Sequence, residues 1–233
     1  LATLTDGISA PEGLGIDAYG GIYIASTGNG RVYKMELSSG SPVLTQLFTS
    51  YTFSGPSDVA PGEDGFIYVT DPASHAILKF DASTGALSGS MNNTAVSDFI
   101  QPRSVAYVGP HLLYVSAAGS NKIFRLGPQP MIVNTTDPLA VVIAGTGTAD
   151  YADGNGIVAK FDNPLGLYSE GSGLLYVADK NNGRIRTVSV APCVSTSTTD
   201  GYAWHADKVL LNDISETPYT KQMIQLDGDA NND

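Results

Sequence analysis

The chain has 233 residues, 42% of them hydrophobic, and carries 23 acidic side chains against 12 basic ones, a formal net charge of −11. That size suits one folded domain with a substantial core, and no run approaches the roughly 18 consecutive apolar residues of a membrane-spanning helix. Such an acidic surface repels phosphate backbones and anionic lipid, which argues against nucleic-acid partners and membrane docking, although acidity also serves solubility alone.

Helix signals are poor, because 26 Gly and 13 Pro punctuate short runs of Ile, Val, Leu and Tyr. The expectation is an all-β fold. The start, Leu1-Ala2-Thr3-Leu4, has no charged segment followed by an apolar run. It reads as a mature chain or an excised piece, with any signal peptide absent or removed. Cys193 is the sole cysteine, so an intrachain disulfide and a multi-cysteine zinc site are both excluded. Whether it is free or pairs elsewhere stays open.

Four segments align without gaps. The first runs from Pro11-Glu12-Gly13-Leu14 through Gly21-Ile22-Tyr23-Ile24-Ala25 to Gly30-Arg31-Val32-Tyr33-Lys34. The second runs from Pro56-Ser57-Asp58-Val59 through Phe66-Ile67-Tyr68-Val69-Thr70 to Ala76-Ile77-Leu78-Lys79. The third comprises Pro102-Arg103-Ser104-Val105, Leu112-Leu113-Tyr114-Val115-Ser116 and Lys122-Ile123-Phe124-Arg125. The fourth comprises Pro164-Leu165-Gly166-Leu167, Leu174-Leu175-Tyr176-Val177-Ala178 and Arg184-Ile185-Arg186-Thr187. In each, a tyrosine follows the proline by 12 residues, and Val or Ile follows the tyrosine by nine.

Each copy predicts short antiparallel strands. Proline opens the innermost strand, where its missing N–H costs little. Gly20-Gly21, Asp64-Gly65 and Ser172-Gly173 then make tight turns suited to positive φ. The tyrosine run is the second strand, and the small residues after it (Ala25, Thr70, Ser116, Ala178) suit crowded packing between sheets. Residues 43–48, 86–90 and 139–144 are the expected outer strands. The prolines lie 45, 46 and 62 residues apart, and a period near 45 matches one four-stranded propeller blade. The longer third spacing implies an insertion in a connection between blades.

One stretch is more specific. Ala144-Gly145-Thr146-Gly147, Asp153-Gly154, Ala159-Lys160-Phe161, Asn163-Pro164-Leu165-Gly166-Leu167, Leu175-Tyr176-Val177-Ala178-Asp179 and Asn182-Gly183-Arg184-Ile185 resemble successive parts of an NHL repeat. The resemblance covers roughly residues 1–190 and implies a β-propeller of NHL-type four-stranded blades. It says little about activity. Four clear blades are few for this family, which usually has six, so the chain reads as incomplete or part of a longer one.

Residues 1–192 are thus the expected propeller blades. In residues 193–233, the runs 209–213 and 223–226 are either strands of a degenerate fifth blade or parts of a connector ending in an acidic tail. In that tail Asp227, Asp229, Asn231 and Asp233 place oxygens at alternate positions, as calcium loops do. Asn232 stands where an EF-hand loop has glycine, and the closing glutamate is missing, so a solvated tail is the competing reading.

NHL-like amidating lyases hold zinc with histidines in the central channel, which the resemblance makes worth testing here. His75 falls between second and third strands and His111 between first and second, at opposite ends of a blade, while His205 lies in the tail. They should not converge on one ion. Lactonase-type propellers hold calcium with inner-strand Glu, Asn and Asp. The candidates here are Glu12, Asp17, Asp58 and Asn163, without a recurring ligand set. No nucleophile elbow, phosphate loop or HExxH helix is present.

Arg31, Lys122 and Arg184 share one register. They form either a basic rim for an acidic ligand or ties within their own turns, for instance Arg184 with Asp179. Asn92-Asn93-Thr94 and Asn134-Thr135-Thr136 fit the glycosylation pattern, making Asn92 and Asn134 candidate glycan sites and favouring an extracellular or cell-surface setting over a cytoplasmic one.

The reading that results is a non-catalytic binding or scaffold module presenting propeller-face loops to a protein, peptide or glycan, within a larger protein or assembly. It needs no cofactor, with calcium at the tail as the one exception. The alternative is a metal-dependent lyase or lactonase with its site in the channel. RNA binding, as in animal TRIM-type NHL proteins, would require a basic face.

Overall fold

The computed structural model describes residues 7–38, 41–109, 112–127, 140–169 and 173–190, together with the backbone of 209–213. Four antiparallel sheets form a β-propeller arrangement. The first contains β1 (Pro11–Ile16), β2 (Ile22–Ser26), β3 (Arg31–Ser38) and β4 (Ser41–Leu47). The second contains β5 (Asp58–Pro61), β6 (Phe66–Asp71), β7 (Ala76–Asp81) and β8 (Leu87–Asn92). The third contains β9 (Pro102–Gly109), β10 (Leu112–Ala117), β11 (Lys122–Leu126) and β12 (Ala140–Ala144). Each is a simple meander whose first strand is innermost.

The fourth sheet departs from that plan. Its order is β13 (Gly154–Asn155), β17 (Val209–Asp213), β16 (Arg184–Val190), β15 (Leu174–Asp179) and β14 (Pro164–Ser169). Residues 209–213 are therefore a strand, but one that completes the fourth blade, with Val188 opposite Leu211. Part of the insertion before Pro164 also joins this blade, through β13. Residues 223–226 lie outside the described residues.

Repeat register explains how the blades stack. The tyrosine of each second strand and the Val or Ile nine residues later point toward the following blade. Tyr23 and Val32 pack in the core between blades one and two, with Val59 and Val69. Tyr68 and Ile77 pack between blades two and three, with Val105 and Val115. Tyr114 and Ile123 pack between blades three and four, with Leu175 and Val177. Sheets covered on both sides bury both faces of a strand, so β6 and β10 read as near-continuous apolar runs.

The inner strands also touch in sequence: β1 packs on β5, β5 on β9 and β9 on β14, whereas β1 and β14 have no comparable packing. Gly13 is required for the first of these contacts, since a Cβ there would collide with the Asp58 side chain and the Ser57 carbonyl. The hairpin turns behave as expected for positive φ, with Gly20, Gly65 and Gly173 all near +84°.

Candidate functional site

Polar groups of the innermost strands form a network across the second, third and fourth blades, centred on Asp58 of β5, and a separate ion pair reaches in from the first blade. Asp58 Oδ2 accepts from the Ser104 hydroxyl at 2.6 Å and the Val105 amide at 3.0 Å, both on β9, and its Oδ1 accepts from Val59 N at 2.9 Å. Ser104 Oγ in turn accepts from Leu167 N on β14 at 3.0 Å. Burial of Asp58 against β1 and β9 pushes its carboxyl up to about 6, against the pull of these three donors. Glu12 on β1 reaches past the second blade to pair with Arg103 on β9 at 3.1 Å.

The other two inner-strand candidates stand apart from this cluster. Asp17 closes the β1–β2 turn, accepting from Tyr19 N and Gly21 N and pairing with Lys34 at 3.2 Å. Asn163 precedes the fourth proline with φ of 56° and donates its amide to Asn121 Oδ1.

Hydroxyls after the tyrosine runs brace neighbouring blades. Thr70 Oγ1 donates to the Arg103 carbonyl at 3.1 Å, and Ser116 Oγ donates to that of Leu165 at 2.5 Å. Each acceptor follows a repeat proline. Between the first two blades the same service comes from Thr27, whose hydroxyl donates to the Pro56 carbonyl at 2.7 Å.

His75 has a related task. Its φ of 53° caps the turn Pro72–Ser74, and its Nδ1 accepts from Gln101 N at 3.0 Å. Asn121 occupies the same register in the third blade, with φ of 54°, and its side chain accepts from Asn163 N. His75 is thus a clip onto the residue before the next proline. Its spacing from Tyr68 matches that of Asn121 from Tyr114 and of Gly30 and Gly183 from their tyrosines, a left-handed position favouring Gly and Asn, and that register was the available signal. His111 and His205 lie outside the described residues. Among those described, no group of three or more His, Cys, Asp or Glu is arranged to hold a metal.

The three rim cations begin third strands at one end of the blades. Lys122 pairs with Asp98 at 2.6 Å, Arg31 approaches the Tyr33 hydroxyl at 3.5 Å, and the Arg184 guanidinium lies 4.3 Å from the Tyr151 ring centre. Asp179, suggested as the tie for Arg184, accepts from Asp162 N, Asn182 Nδ2 and Arg186 Nη1.

Arg186 is the residue that the sequence reading passed over. It is fully buried, packed over the Phe161 ring, and ion-paired to Asp179 at 3.2 Å and Asp153 at 2.6 Å. It also donates to the carbonyls of Ala152 and Lys160, fastening the inserted connection to the fourth blade.

At the opposite end, a Tyr–Lys–Asp grouping occurs in two blades. Tyr23 faces Lys34 across the strands beside Asp17, and Tyr68 faces Lys79 beside Asp64. Lys34 is held above the usual lysine range by Glu36 and Asp17 despite partial burial. Lys79 is pushed down by burial, with its ammonium 3.7 Å from the Phe66 ring centre.

Of the remaining candidates, Asn92 ends β8, its Oδ1 accepting from Thr94 N and Ala95 N. Asn134 and the tail residues Asp227, Asp229, Asn231 and Asp233 lie outside the described residues.

No family model matches the chain. It is 28% identical over 188 residues to Protein SUPPRESSOR OF QUENCHING 1, chloroplastic, of Arabidopsis thaliana, a stretch covering 73% of the chain and 16% of the relative. Among solved structures it is similar to an auxiliary nutrient binding protein from Bacteroides ovatus, with a TM-score of 0.61 and 16% identity, covering 89% of this chain and 48% of that one. It is also similar to a catalytically inactive virginiamycin B lyase from Staphylococcus aureus with quinupristin, with a TM-score of 0.53 and 15% identity, covering 80% and 54%. The chain thus spans about half the length of these solved structures and 16% of the curated relative. At these identities the solved structures establish the fold, a β-propeller.

Proposed function

We propose that the chain is a binding module of NHL-type blades, presenting loops at the two ends of its blades to a protein, peptide or glycan. One observation carries the reading: the polar groups of the inner strands are engaged with one another. Asp58 takes three donors and Glu12 pairs with Arg103, so the groups that could serve as metal ligands act as braces between blades. The match to only 16% of a much longer relative supports a role as one module of a larger protein. The nutrient-binding neighbours support recognition of a ligand rather than its conversion.

Probing arrays of peptides and glycans with the purified chain tests this. The expected result is saturable binding to one chemical class, weakened at least tenfold either by Arg31→Ala/Lys122→Ala/Arg184→Ala at one end or by Tyr19→Ala at the other. Binding to no member, together with turnover of a lactone or peptide-amide precursor, would overturn it.

A second reading, a metal-dependent propeller enzyme, draws on the raised Asp58 carboxyl, because perturbed carboxylates concentrate at active sites. A lyase among the solved neighbours shows that this architecture can host catalysis.

A further inference from the structure

We propose that Lys79 is a nucleophilic amine, built into the contact between the second and third blades, that captures small neutral aldehydes as a Schiff base. Capture there is a single covalent event, and it does not depend on which partner the blade-end loops take.

Lys34 and Lys79 hold the same place in their blades, each facing the repeat tyrosine across the strands. In the first blade the residue two before the tyrosine is Gly21, and Lys34 lies directly over it, where a Cβ would collide with the lysine stem. That path brings Lys34 to Asp17 at 3.2 Å and Glu36 at 2.7 Å. In the second blade Phe66 stands at the register of Gly21, and Lys79 Nζ rests 3.7 Å from its ring centre instead. The carboxylates nearby have other donors. Asp64 accepts from the Tyr68 hydroxyl at 2.7 Å and the Phe66 amide at 3.3 Å. Asp81, at the register of Glu36, accepts from the amides and hydroxyls of Ser83 and Thr84. Lys79 is therefore only 7% exposed, yet makes no ion pair or hydrogen bond with any described residue. Lys122 and Lys160, by contrast, pair with Asp98 and Asp150.

The facing strand adds a second unmade bond. Tyr107 of β9 stacks on Tyr68 with ring centres 6.1 Å apart. Its hydroxyl is shut off from water and has no hydrogen-bond partner among the described residues, whereas the Lys79 nitrogen keeps contact with water. Unsatisfied polar groups are rare in folded interiors, and two at one blade contact point to a purpose beyond packing. Burial pushes the Lys79 ammonium below the usual lysine range, against the pull of Asp64. A lysine that is desolvated and unpaired is the form in which this side chain acts as a nucleophile.

The surroundings select the electrophile. The free amine adds to an aldehyde carbon, a proton passes from nitrogen to oxygen, and the carbinolamine loses water to leave an imine. Taking a proton from solvent, the imine becomes an iminium. This product keeps one positive charge, and with it the Phe66 ring face and the attraction of Asp64. Acylation would abolish the charge and both interactions. The small exposed area restricts capture to aldehydes of a few carbons, and the net charge of −11 favours neutral ones over anionic ones.

Limiting acetaldehyde with sodium cyanoborohydride, followed by peptide mapping of the whole chain, reads the rate at which each lysine gains an ethyl group. At about pH 7 Lys79 is expected to react roughly tenfold faster than Lys34, Lys122 and Lys160, or more, with the advantage shrinking towards about pH 10, where ordinary lysines lose their protons. Phe66→Gly should slow Lys79 to the rate of Lys34, because water enters and the path to a carboxylate opens. Accessibility alone would have the opposite effect. Tyr68→Phe removes the hydroxyl that holds Asp64 while keeping the ring, and it should slow Lys79 as well. It decides the matter if a thermal melt shows that Phe66→Gly does not fold. In Lys79→Arg the fast site should vanish with the other rates unchanged. A smaller advantage for Lys79, or a Lys79 rate that either folded variant leaves unchanged or raises, would overturn the proposal.

Discussion

Replacing Arg186 with methionine removes a guanidinium while keeping an unbranched side chain of similar reach. In the folded chain Arg186 is fully buried, as is Asp179, and the pair is joined by Asp153 and the carbonyls of Ala152 and Lys160. Methionine takes away the buried cation paired with the Asp179 carboxylate, which also accepts from the Asp162 amide and the Asn182 side chain, and strands two carbonyls. Breaking a buried pair by removing one partner costs about 3–5 kcal/mol, chiefly for the charge left behind. A urea titration followed by tyrosine fluorescence measures this as a lower midpoint at unchanged slope. The double variant Arg186→Met/Asp179→Asn should recover part of the loss, since the stranded charge is gone and the effects of contacting residues do not add. A loss below about 1 kcal/mol for Arg186→Met would show that the guanidinium does not fasten the inserted connection, and the reasoning would fail.

Further outcomes follow from the braces between blades. Gly13→Ala should cost about 1–3 kcal/mol in a thermal or urea melt, because β1 must move away from Asp58 to admit the new carbon. His75→Asn should stay within about 0.5 kcal/mol of wild type, as the third blade uses Asn121 in the same place, whereas His75→Ala should lose about 1–2 kcal/mol from left-handed strain and the lost acceptor. Asp58 makes a pH prediction with a definite sign. Burial pushes its folded-state pKa up to about 6, above the ordinary aspartate range, so ionisation opposes folding. Its contribution weakens stability as pH rises from about 4 to about 6 and is constant above, by about 2–3 kcal/mol in all. Comparing melts of wild type and Asp58→Asn across that window isolates the effect from the other carboxylates, and equal pH slopes would refute it.

The propeller was legible because its signals are local and repeated. A proline, a hairpin glycine, a tyrosine 12 residues on and a Val or Ile nine further define strand order within a blade without reference to anything distant. Three of the four prolines do open inner strands, and Pro56 lies two residues before one. The outer strand of the fourth blade was less legible, since 191–208 separate it from β16 and a reader following consecutive strands assigns it to a new blade. The axial network was hidden for a different reason. Asp58 looks like a lone channel carboxylate in sequence, and its partners Ser104, Val105 and, through Ser104, Leu167 come from the next two blades. Arg186 and Asp179 are seven residues apart, but only the register of β15 and β16, with the inserted connection folded over them, makes the arginine buried. A histidine at position 75 suggests a metal ligand in isolation, but its spacing to Tyr68, compared across copies, marks it as a turn cap.

Metal content separates the binding reading from its alternative most directly. The chain, and a variant with Asp227, Asp229 and Asp233 changed to alanine to remove the tail as a calcium loop, would be dialysed without chelator and analysed by plasma mass spectrometry for zinc and calcium. The account predicts far less than one equivalent of either metal in the tail variant, with no change in melting temperature on adding EDTA. One equivalent held through dialysis by the tail variant and lost in Asp58→Ala would contradict it, and would make the inner-strand network a metal site rather than a brace.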